Sequence, residues 1–325
     1  MRYLITGAFG FIATHLIRRL LDCDPRNEII AYGLKDRNTL QYFPELYFSS
    51  RVQKITDDIL NTGTLEYALR DNIDVVIHCA AIAGVSNYHT RPADTAVANG
   101  IGTFNVIDLC HKNKISKTII LSSSEVYGDS KDSREISGSS ILSSVHNLRL
   151  TYSISKLFGD QLVTAYSKQY GMDICSIRPY GIWGPAQCGE SVAQIFIRRA
   201  VFNKDIPVVL PGTQTRDFCY IDDFIDAVIA CISSDKVNGQ IINIGDPRNY
   251  FSVLDFAKKV LEMTNSKSKI VFIDRTDVRD TKIRKSDISL AKKLINFEPK
   301  TNLDKAIQKT AEWYRKYNIG EDMTI

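Results

Sequence analysis

Short apolar runs alternate with amphipathic stretches along the first half of the chain. The runs at 3–5, 28–33, 52–55, 74–79, 118–121 and 174–179 have few polar partners to alternate with. Such runs read as strands covered on both faces. Between them, stretches at 14–21, from Thr62 onward, at 93–112 and at 152–170 repeat apolar residues every three or four positions and read as helices. Strand alternating with helix predicts an α/β fold built on a parallel, doubly wound sheet. After Tyr180 the pattern loosens, and Gly181, Gly184, Pro185 and Gly189 mark a long loop. Helices are expected at 191–202, 221–233, 253–264, 288–294 and 303–317, with short strands at 208–212, 240–244 and 269–273. This half is expected to form a smaller mixed α/β lobe over the strand ends. Segments near 213–245 are expected to pack back on the first domain.

Chemistry enters where the runs break. Gly7-Ala8-Phe9-Gly10-Phe11-Ile12-Ala13 lies between the first strand and the first helix. Glycines there permit a tight turn and let backbone N–H groups approach a pyrophosphate at the helix N-terminus. The spacing is GxxGxxA rather than the usual dinucleotide pattern GxGxxG, with Ala13 as the small third residue. The second strand ends in Gly33 followed by Leu34-Lys35-Asp36-Arg37-Asn38. The acid that holds an NAD ribose is missing at its end, and Lys35 or Arg37 would bind a 2′-phosphate. NADP is therefore favoured over NAD, although Asp36 argues the other way. The third strand runs into Asp57-Asp58-Ile59, an acid either for an adenine amino group or for capping the next helix. The fourth ends in His78-Cys79-Ala80-Ala81, where small residues let a flat cofactor lie close and His78 reads as a packing histidine. Asn99, a poor helix former inside the 93–112 stretch, is expected to bond neighbouring backbone.

The fifth strand delivers Ser122-Ser123-Ser124-Glu125-Val126-Tyr127-Gly128 at its carboxyl end, where open α/β sheets bind ligands. Farther on, Tyr152 and Lys156 stand four apart, on one face of a helix. A nearby ammonium favours phenolate and should lower the tyrosine pKa. A hydroxyl, an acidified phenol and a lysine are what oxidation of a carbinol by a nicotinamide requires.

Composition narrows the partners. Among 325 residues the net charge is +4 and the basic residues are scattered, which argues against a nucleic-acid binder. Seven dispersed cysteines show no CxxC pair and no metal-ligand spacing, so reduced thiols, no metal site and a cytoplasmic protein are expected. No apolar stretch approaches bilayer length, and no secretion signal or membrane partner is expected.

Together these segments resemble the extended short-chain dehydrogenase/reductases, specifically the nucleotide-sugar epimerase/dehydratase family. The likeness runs from Thr6-Gly7-Ala8-Phe9-Gly10-Phe11-Ile12 to the helix near Trp313. It takes in the Ser122-to-Gly128 segment, Tyr152 with Lys156, Arg178-Pro179, Gln214-Thr215-Arg216-Asp217-Phe218 and Phe297-Glu298-Pro299. It implies a Rossmann-like dinucleotide-binding domain over 1–180 and a substrate lobe over 181–325. It implies an enzyme in which Tyr152 deprotonates a sugar hydroxyl, commonly at C4. Lys156 would hold the nicotinamide ribose and Ser123 would be the catalytic hydroxyl. Gly7, Phe9, Gly10, Phe11 and Ile12 would cradle the cofactor, with Asp58, Ile59, Ala80, Ala81, Asn99 and Pro179 around it. Ser86, Asn87 and Ser124 would touch the nucleotide-sugar substrate, and Arg216 and Arg279 its diphosphate.

Glu125 helps choose among reactions. Similar Ser-Thr-Ser-Glu segments occur in GDP-mannose 4,6-dehydratases and in UDP-glucuronate decarboxylases. Ser86-Asn87-Tyr88, Gly128-Asp129, Arg149 and Arg279 with Ile283-Arg284 resemble the decarboxylases, while Arg216-Asp217-Phe218 resembles dehydratases and epimerases. Gly181 and Trp183 depart from the family's Arg-Pro-x-Asn-x-(Tyr/Phe)-Gly-Pro, whose Asn touches substrate phosphates. The first expectation is a nucleoside-diphosphate-hexose 4,6-dehydratase acting through a 4-keto sugar in polysaccharide biosynthesis. The alternatives are a UDP-glucuronate-type decarboxylase, a 4-epimerase and, from another class, a non-catalytic dinucleotide sensor. The family also implies a homodimer formed through the helices at 99–112 and 152–170.

Overall fold

The computed structural model describes residues 1–34, 39–70, 72–128, 146–189, 191–274 and 282–318. The chain opens with β1 (Arg2–Thr6), α1 (Phe11–Cys23), β2 (Glu28–Gly33), a short α2 (Pro44–Tyr47), β3 (Val52–Thr56), α3 (Thr62–Leu69) and β4 (Val75–His78). Two brief helices, α4 (Val85–Thr90) and α5 (Pro92–Ala96), lead through a widened π turn at Val97–Ile101 into α6 (Gly102–Lys112). β5 (Lys117–Leu121), α7 (Leu150–Tyr170) and β6 (Ile174–Pro179) follow. The second half contains β7 (Ile182–Trp183), α8 (Val192–Val201), β8 (Ile206–Val209), β9 (Thr215–Asp217), β10 (Cys219–Tyr220), α9 (Ile221–Ile232) and β11 (Ile241–Ile244). It closes with β12 (Tyr250–Ser252), α10 (Val253–Thr264), β13 (Ile270–Ile273), β14 (Ile283–Arg284), α11 (Ser289–Ile295) and α12 (Leu303–Tyr317).

Seven strands pair in parallel in the order β11-β6-β5-β4-β1-β2-β3. The order reverses direction between β1 and β4, and the ligand crevice of such sheets opens at that switch point. The pleat of β1 accounts for its unbroken apolar sequence. Tyr3 and Ile5 enter the core shared with α1 and α9, while Leu4 enters the core shared with α3, α6 and α7. Each fully buried Leu or Ile of these layers contributes about 1.5–3 kcal/mol. β9 lies between β12 and β14, antiparallel to the first and parallel to the second. Side chains of Ser191, Ser252 and Asn302 accept backbone N–H bonds at the starts of α8, α10 and α12.

Several boundaries differ from the sequence reading, and three of the differences have a visible physical cause. α1 begins at Phe11, not at 14, because the Gly10 carbonyl already accepts from the Thr14 N–H at 3.0 Å. α3 is capped by Asn61, whose Oδ1 accepts from the Thr64 N–H at 3.4 Å, and not by the preceding aspartates. The continuous helix expected at 93–112 is interrupted by the widened turn that contains Asn99. There the Asn99 amide serves the backbone of a neighbouring loop: Ile82 N–H donates to Oδ1 at 2.8 Å and Nδ2 donates to the Ile82 carbonyl at 3.0 Å.

Two buried polar chains hold the sheet to its helices. In the first, Thr103 Oγ1 donates to the Asn99 carbonyl at 2.6 Å, so it accepts from His78 Nε2 at 3.0 Å. His78 Nδ1 is then left to accept from Thr6 Oγ1 at 2.7 Å, and Thr6 Oγ1 accepts from the Ala80 N–H at 3.3 Å. His78 is thus the packing histidine its apolar flanks suggested, and burial drives its pKa from 6.5 down to about 3. In the second chain, Asp160 on α7 accepts from Arg178 Nε at 2.8 Å and from Ser176 Oγ at 2.5 Å, both on β6. Arg178 also donates to Tyr127 Oη at 2.8 Å, and Tyr127 donates to Asn243 of β11 at 3.0 Å.

Asp160→Asn leaves the Arg178 guanidinium buried beside a neutral amide and is expected to lower unfolding free energy by about 3–5 kcal/mol. Asp94→Asn breaks an exposed pair with Arg91 and is expected to cost under about 1 kcal/mol. Urea titrations of the two variants check the contrast. His78 makes stability pH-dependent. Below pH 6.5 the unfolded chain binds a proton there that the folded chain refuses until about pH 3. Stability should therefore fall through that window by up to about 1.4 kcal/mol per pH unit and be fully present above it. His78→Gln should flatten this part of the profile in urea titrations at pH 7 and pH 5.

Candidate active site

At the switch point the end of β1 nearly touches the end of β4. Gly7 sits at φ +65°, and a Cβ there would meet the Ala80 N and Cα at 2.7 Å. Only glycine fits this approach. A cleft of about 300 Å³ opens beside it, lined by Gly7, Phe9, Gly10, Gly33, Asp57, Asp58, Ile59 and the loop from Cys79 to Ala83. Gly10 caps α1 without a side-chain bond, so the first-turn N–H groups there remain available to an anion. These features fit a dinucleotide: a backbone floor too close for a side chain, a helix N-terminus for the pyrophosphate and small alanines for a flat ring. Phe11 and Ile12 form the first turn of α1 and pack partly into the core. Pro179 ends β6, opposite Ile244 of β11. Asn99 is fully buried with its amide spent on Ile82, so it stands behind the cleft loop rather than on a cofactor. Asp57 is held below the usual carboxylate range by the Thr64 hydroxyl and the Asp58 N–H. Lys35, Arg37 and Arg279 lie outside the described residues.

Ser123, Tyr152 and Lys156 meet at the end of β5, all buried. Lys156 Nζ donates to the Leu121 carbonyl at 2.7 Å and stands 5.9 Å from the Tyr152 ring centroid. The Tyr152 phenol is pushed up to about 12, chiefly by burial; the Ser123 hydrogen bond and Arg284 pull it down, while Glu125 pushes it up. Lys156 is pushed down to about 8 by burial, against the charge of Asp160. The expected acidification of Tyr152 by Lys156 is therefore corrected. Desolvation outweighs it, and the ammonium is directed to Leu121.

Glu125 sits in a short 3₁₀ turn (Ser124–Tyr127) capped by Ser123, whose Oγ accepts from the Glu125 N–H at 3.1 Å. Its carboxylate pairs with Arg284 at 3.0 Å and lies 3.7 Å from Arg149. Arg284 also donates to Ser124 Oγ at 3.4 Å. Arg216 of β9 is the register partner of Arg284 on β14, and its NH1 donates to the Thr215 carbonyl at 2.7 Å. Ser86 is exposed on α4. Asn87 donates to the Ala83 carbonyl at 2.7 Å and lines the cleft beside Gly7 and Ala80. Gly181, at φ +51°, packs on β9 so closely that a Cβ would collide with the Asp217 carbonyl, which accounts for the missing family Asn.

The sequence reading named Arg149, Arg284 and Tyr88 within motifs but gave them no roles. Arg149 stands three before Tyr152, one helical turn away, and was findable by spacing. Arg284 is 160 residues from Ser124 and is brought to it only by β14. Tyr88 lies flat against Tyr152. Among the described residues no cluster of His, Cys, Asp or Glu is arranged to hold a metal, and no helix is long and apolar enough to cross a membrane.

Residues 3–245 match the model of the NAD dependent epimerase/dehydratase family. A UDP-N-acetyl-alpha-D-glucosaminuronate decarboxylase of Bacillus cytotoxicus is 31% identical over 97% of this chain and 98% of its own length. A dTDP-D-glucose 4,6-dehydratase of Bos taurus is 30% identical over 97% of this chain and 89% of its own. The UDP-glucuronic acid 4-epimerase of Bacillus cereus, solved with UDP-glucuronic acid and NAD, superposes with a TM-score of 0.86 at 29% identity, covering 98% of this chain and 100% of that one. The chain belongs to the NAD-dependent epimerase/dehydratase family and is an enzyme of its nucleotide-sugar-modifying kind.

Proposed function

We propose that this enzyme decarboxylates a UDP-hexuronate through a 4-keto intermediate. The observation that carries this reading is the cationic frame around Glu125, beside the Ser123–Tyr152 pair: Arg284 at 3.0 Å and Arg149 at 3.7 Å. A substrate carboxylate at C6 of the sugar needs such a counter-charge, and guanidinium supplies it bidentately. The relative from Bacillus cytotoxicus, whose name is that of a hexuronate decarboxylase, supports it.

Each step follows from the residues present. Tyr152, as phenolate, would take the proton of the C4 hydroxyl while Ser123 orients that oxygen; burial favours the neutral phenol, so this step requires the positive charge of a bound oxidised nicotinamide beside Lys156 to restore the phenolate. The cleft of Gly7, Gly10 and Ala80 would hold NAD, which would supply a reversible hydride acceptor for C4, so the cycle is redox-neutral. The ketone at C4 stands β to the C6 carboxylate. The C5–C6 bonding pair moves toward the C4 oxygen and CO₂ leaves; the resulting enolate takes a proton from water at C5, which restores the C4 ketone. Glu125 holds the two guanidiniums in place, and its own charge beside the sugar carboxylate favours departure of CO₂. The 4,6-dehydratase expected from the sequence is the second reading, favoured by the bovine relative. It would need Glu125 as a proton donor to the leaving C6 hydroxyl, whereas its carboxylate is engaged by Arg284 at 3.0 Å.

NAD is the dinucleotide this reading takes. Asp57 and Asp58 both line the cleft and would repel a 2′-phosphate, whereas Gly33, Lys35 and Arg37 favour NADP. We also propose a homodimer. Val97, Ile101 and Phe104 form one exposed apolar stripe, and Ile154 and Phe158 on α7 form a second. Two copies related by a two-fold axis would cover both.

Mass spectrometry of products from UDP-glucuronate and a panel of nucleoside-diphosphate hexoses tests the reaction. Loss of CO₂ is expected, with NAD released on denaturation, and Tyr152→Phe should reduce turnover by about 10²–10⁴-fold. Loss of water from a hexose would instead identify a dehydratase, and an unchanged mass with a new retention time an epimerase. For the assembly, light scattering should give twice the chain mass for the wild type and a monomer for Phe158→Glu.

A further inference from the structure

The chemistry just described leaves Tyr88 unused, yet this residue lies flat on the catalytic phenol. The two ring centroids are 4.8 Å apart and the planes differ by 19°. Tyr88 is 5% exposed, so its ring is committed to this contact. Its hydroxyl accepts the Gly84 N–H at 3.1 Å, which closes α4 back onto the loop that precedes it. That loop, through Ala80 to Ala83, is one wall of the dinucleotide cleft, and Asn99 clamps it at Ile82. A continuous chain of contacts therefore leads from the cleft wall through Gly84 and Tyr88 to the ring of Tyr152.

We propose that Tyr88 is a positioning residue that sets the orientation of the Tyr152 ring and couples it to the wall of the dinucleotide cleft. A tyrosine ring turns about two side-chain bonds, and its hydrogen bond to Ser123 restrains only the oxygen. The stacked partner restrains the plane. An offset aromatic pair is favourable beyond the area it buries. Proton transfer from the sugar depends on that plane, because a displacement of about 1 Å at the reacting atoms costs about 10²-fold in rate. This inference rests on Tyr152 being the base, so its test includes a readout that needs no turnover.

The experiment uses the whole chain labelled with 3-fluorotyrosine, the Tyr152 fluorine resonance being assigned by its loss in Tyr152→Phe. In Tyr88→Leu that resonance is expected to shift or broaden. kcat should fall about 10- to 100-fold while KM for the nucleotide sugar stays within about twofold. Tyr88→Phe keeps the ring and should restore the resonance and most of kcat. The acid limb of the pH–rate profile should move in Tyr88→Leu and not in Tyr88→Phe. If circular dichroism shows that Tyr88→Leu does not fold, Tyr88→Met, of similar length and without a ring, takes its place. An unchanged resonance and kcat in the ringless variant would overturn the proposal. So would equal losses in the Leu and Phe variants, which would assign the effect to the hydroxyl, or a change confined to KM, which would make Tyr88 a substrate contact. The fluorine resonance reports the ring's setting even if no sugar is turned over, so failure of the decarboxylase reading and failure of this one are separable.

Discussion

The close approach between the end of β1 and the end of β4 sets the terms for everything around it. Residue 7 has no room for a side chain because the Ala80 backbone occupies that space. The contact brings the turn after β1 and the loop after β4 into one cleft. The buried chain from Ala80 through Thr6, His78 and Thr103 to Asn99 fixes it from behind. That chain needs a neutral His78, and burial keeps it neutral. The same Asn99 then holds Ile82, so the cleft wall and the helices behind the sheet form one hydrogen-bonded unit.

Charge is handled in two ways close to the reacting groups. Asp160 and Arg178 are buried deeply and satisfy one another along with Ser176 and Tyr127, which makes them an anchor between α7, β6 and β11. Glu125, Arg149 and Arg284 are paired more loosely, at distances from 3.0 to 3.7 Å, with Glu125 only partly buried. A cation pair already arranged around one carboxylate can exchange partners with another at little reorganisation cost. Burial moves Tyr152 and Lys156 in opposite directions: the phenol goes up and the ammonium down, so the neutral form of each is favoured on one helix face. Proximity in sequence made the pair visible, while the direction of the tyrosine shift depended on the surrounding low-dielectric packing.

Legibility in the sequence tracked the range of the interactions. The parallel sheet was readable because strands covered on both faces show as apolar runs. The Gly-rich turn was readable because its function requires glycine. Ser123, Tyr152 and Lys156 come from two short motifs, and the fold brings them together as those motifs imply. Asn99 was correctly expected to bond backbone, yet its partner, Ile82, and the widened turn that permits the contact were not visible. Asn87 was read as a substrate residue from its motif, while its bond to the Ala83 carbonyl at the cleft wall was not visible in the sequence.

The sequence by itself determined the periodicity of the elements, the turn that admits a dinucleotide and the residue types needed to oxidise a carbinol. These are local properties, set by backbone conformation and by neighbours a few positions away. Only the tertiary structure decided that Arg284, on a two-residue strand far along the chain, faces Glu125. It alone decided that Tyr88 backs the Tyr152 ring, and that residue 181 can carry no side chain against β9. Each of these depends on how separate elements cross in space and how much water their packing excludes, and neither quantity is written in the spacing of residues along a strand or helix.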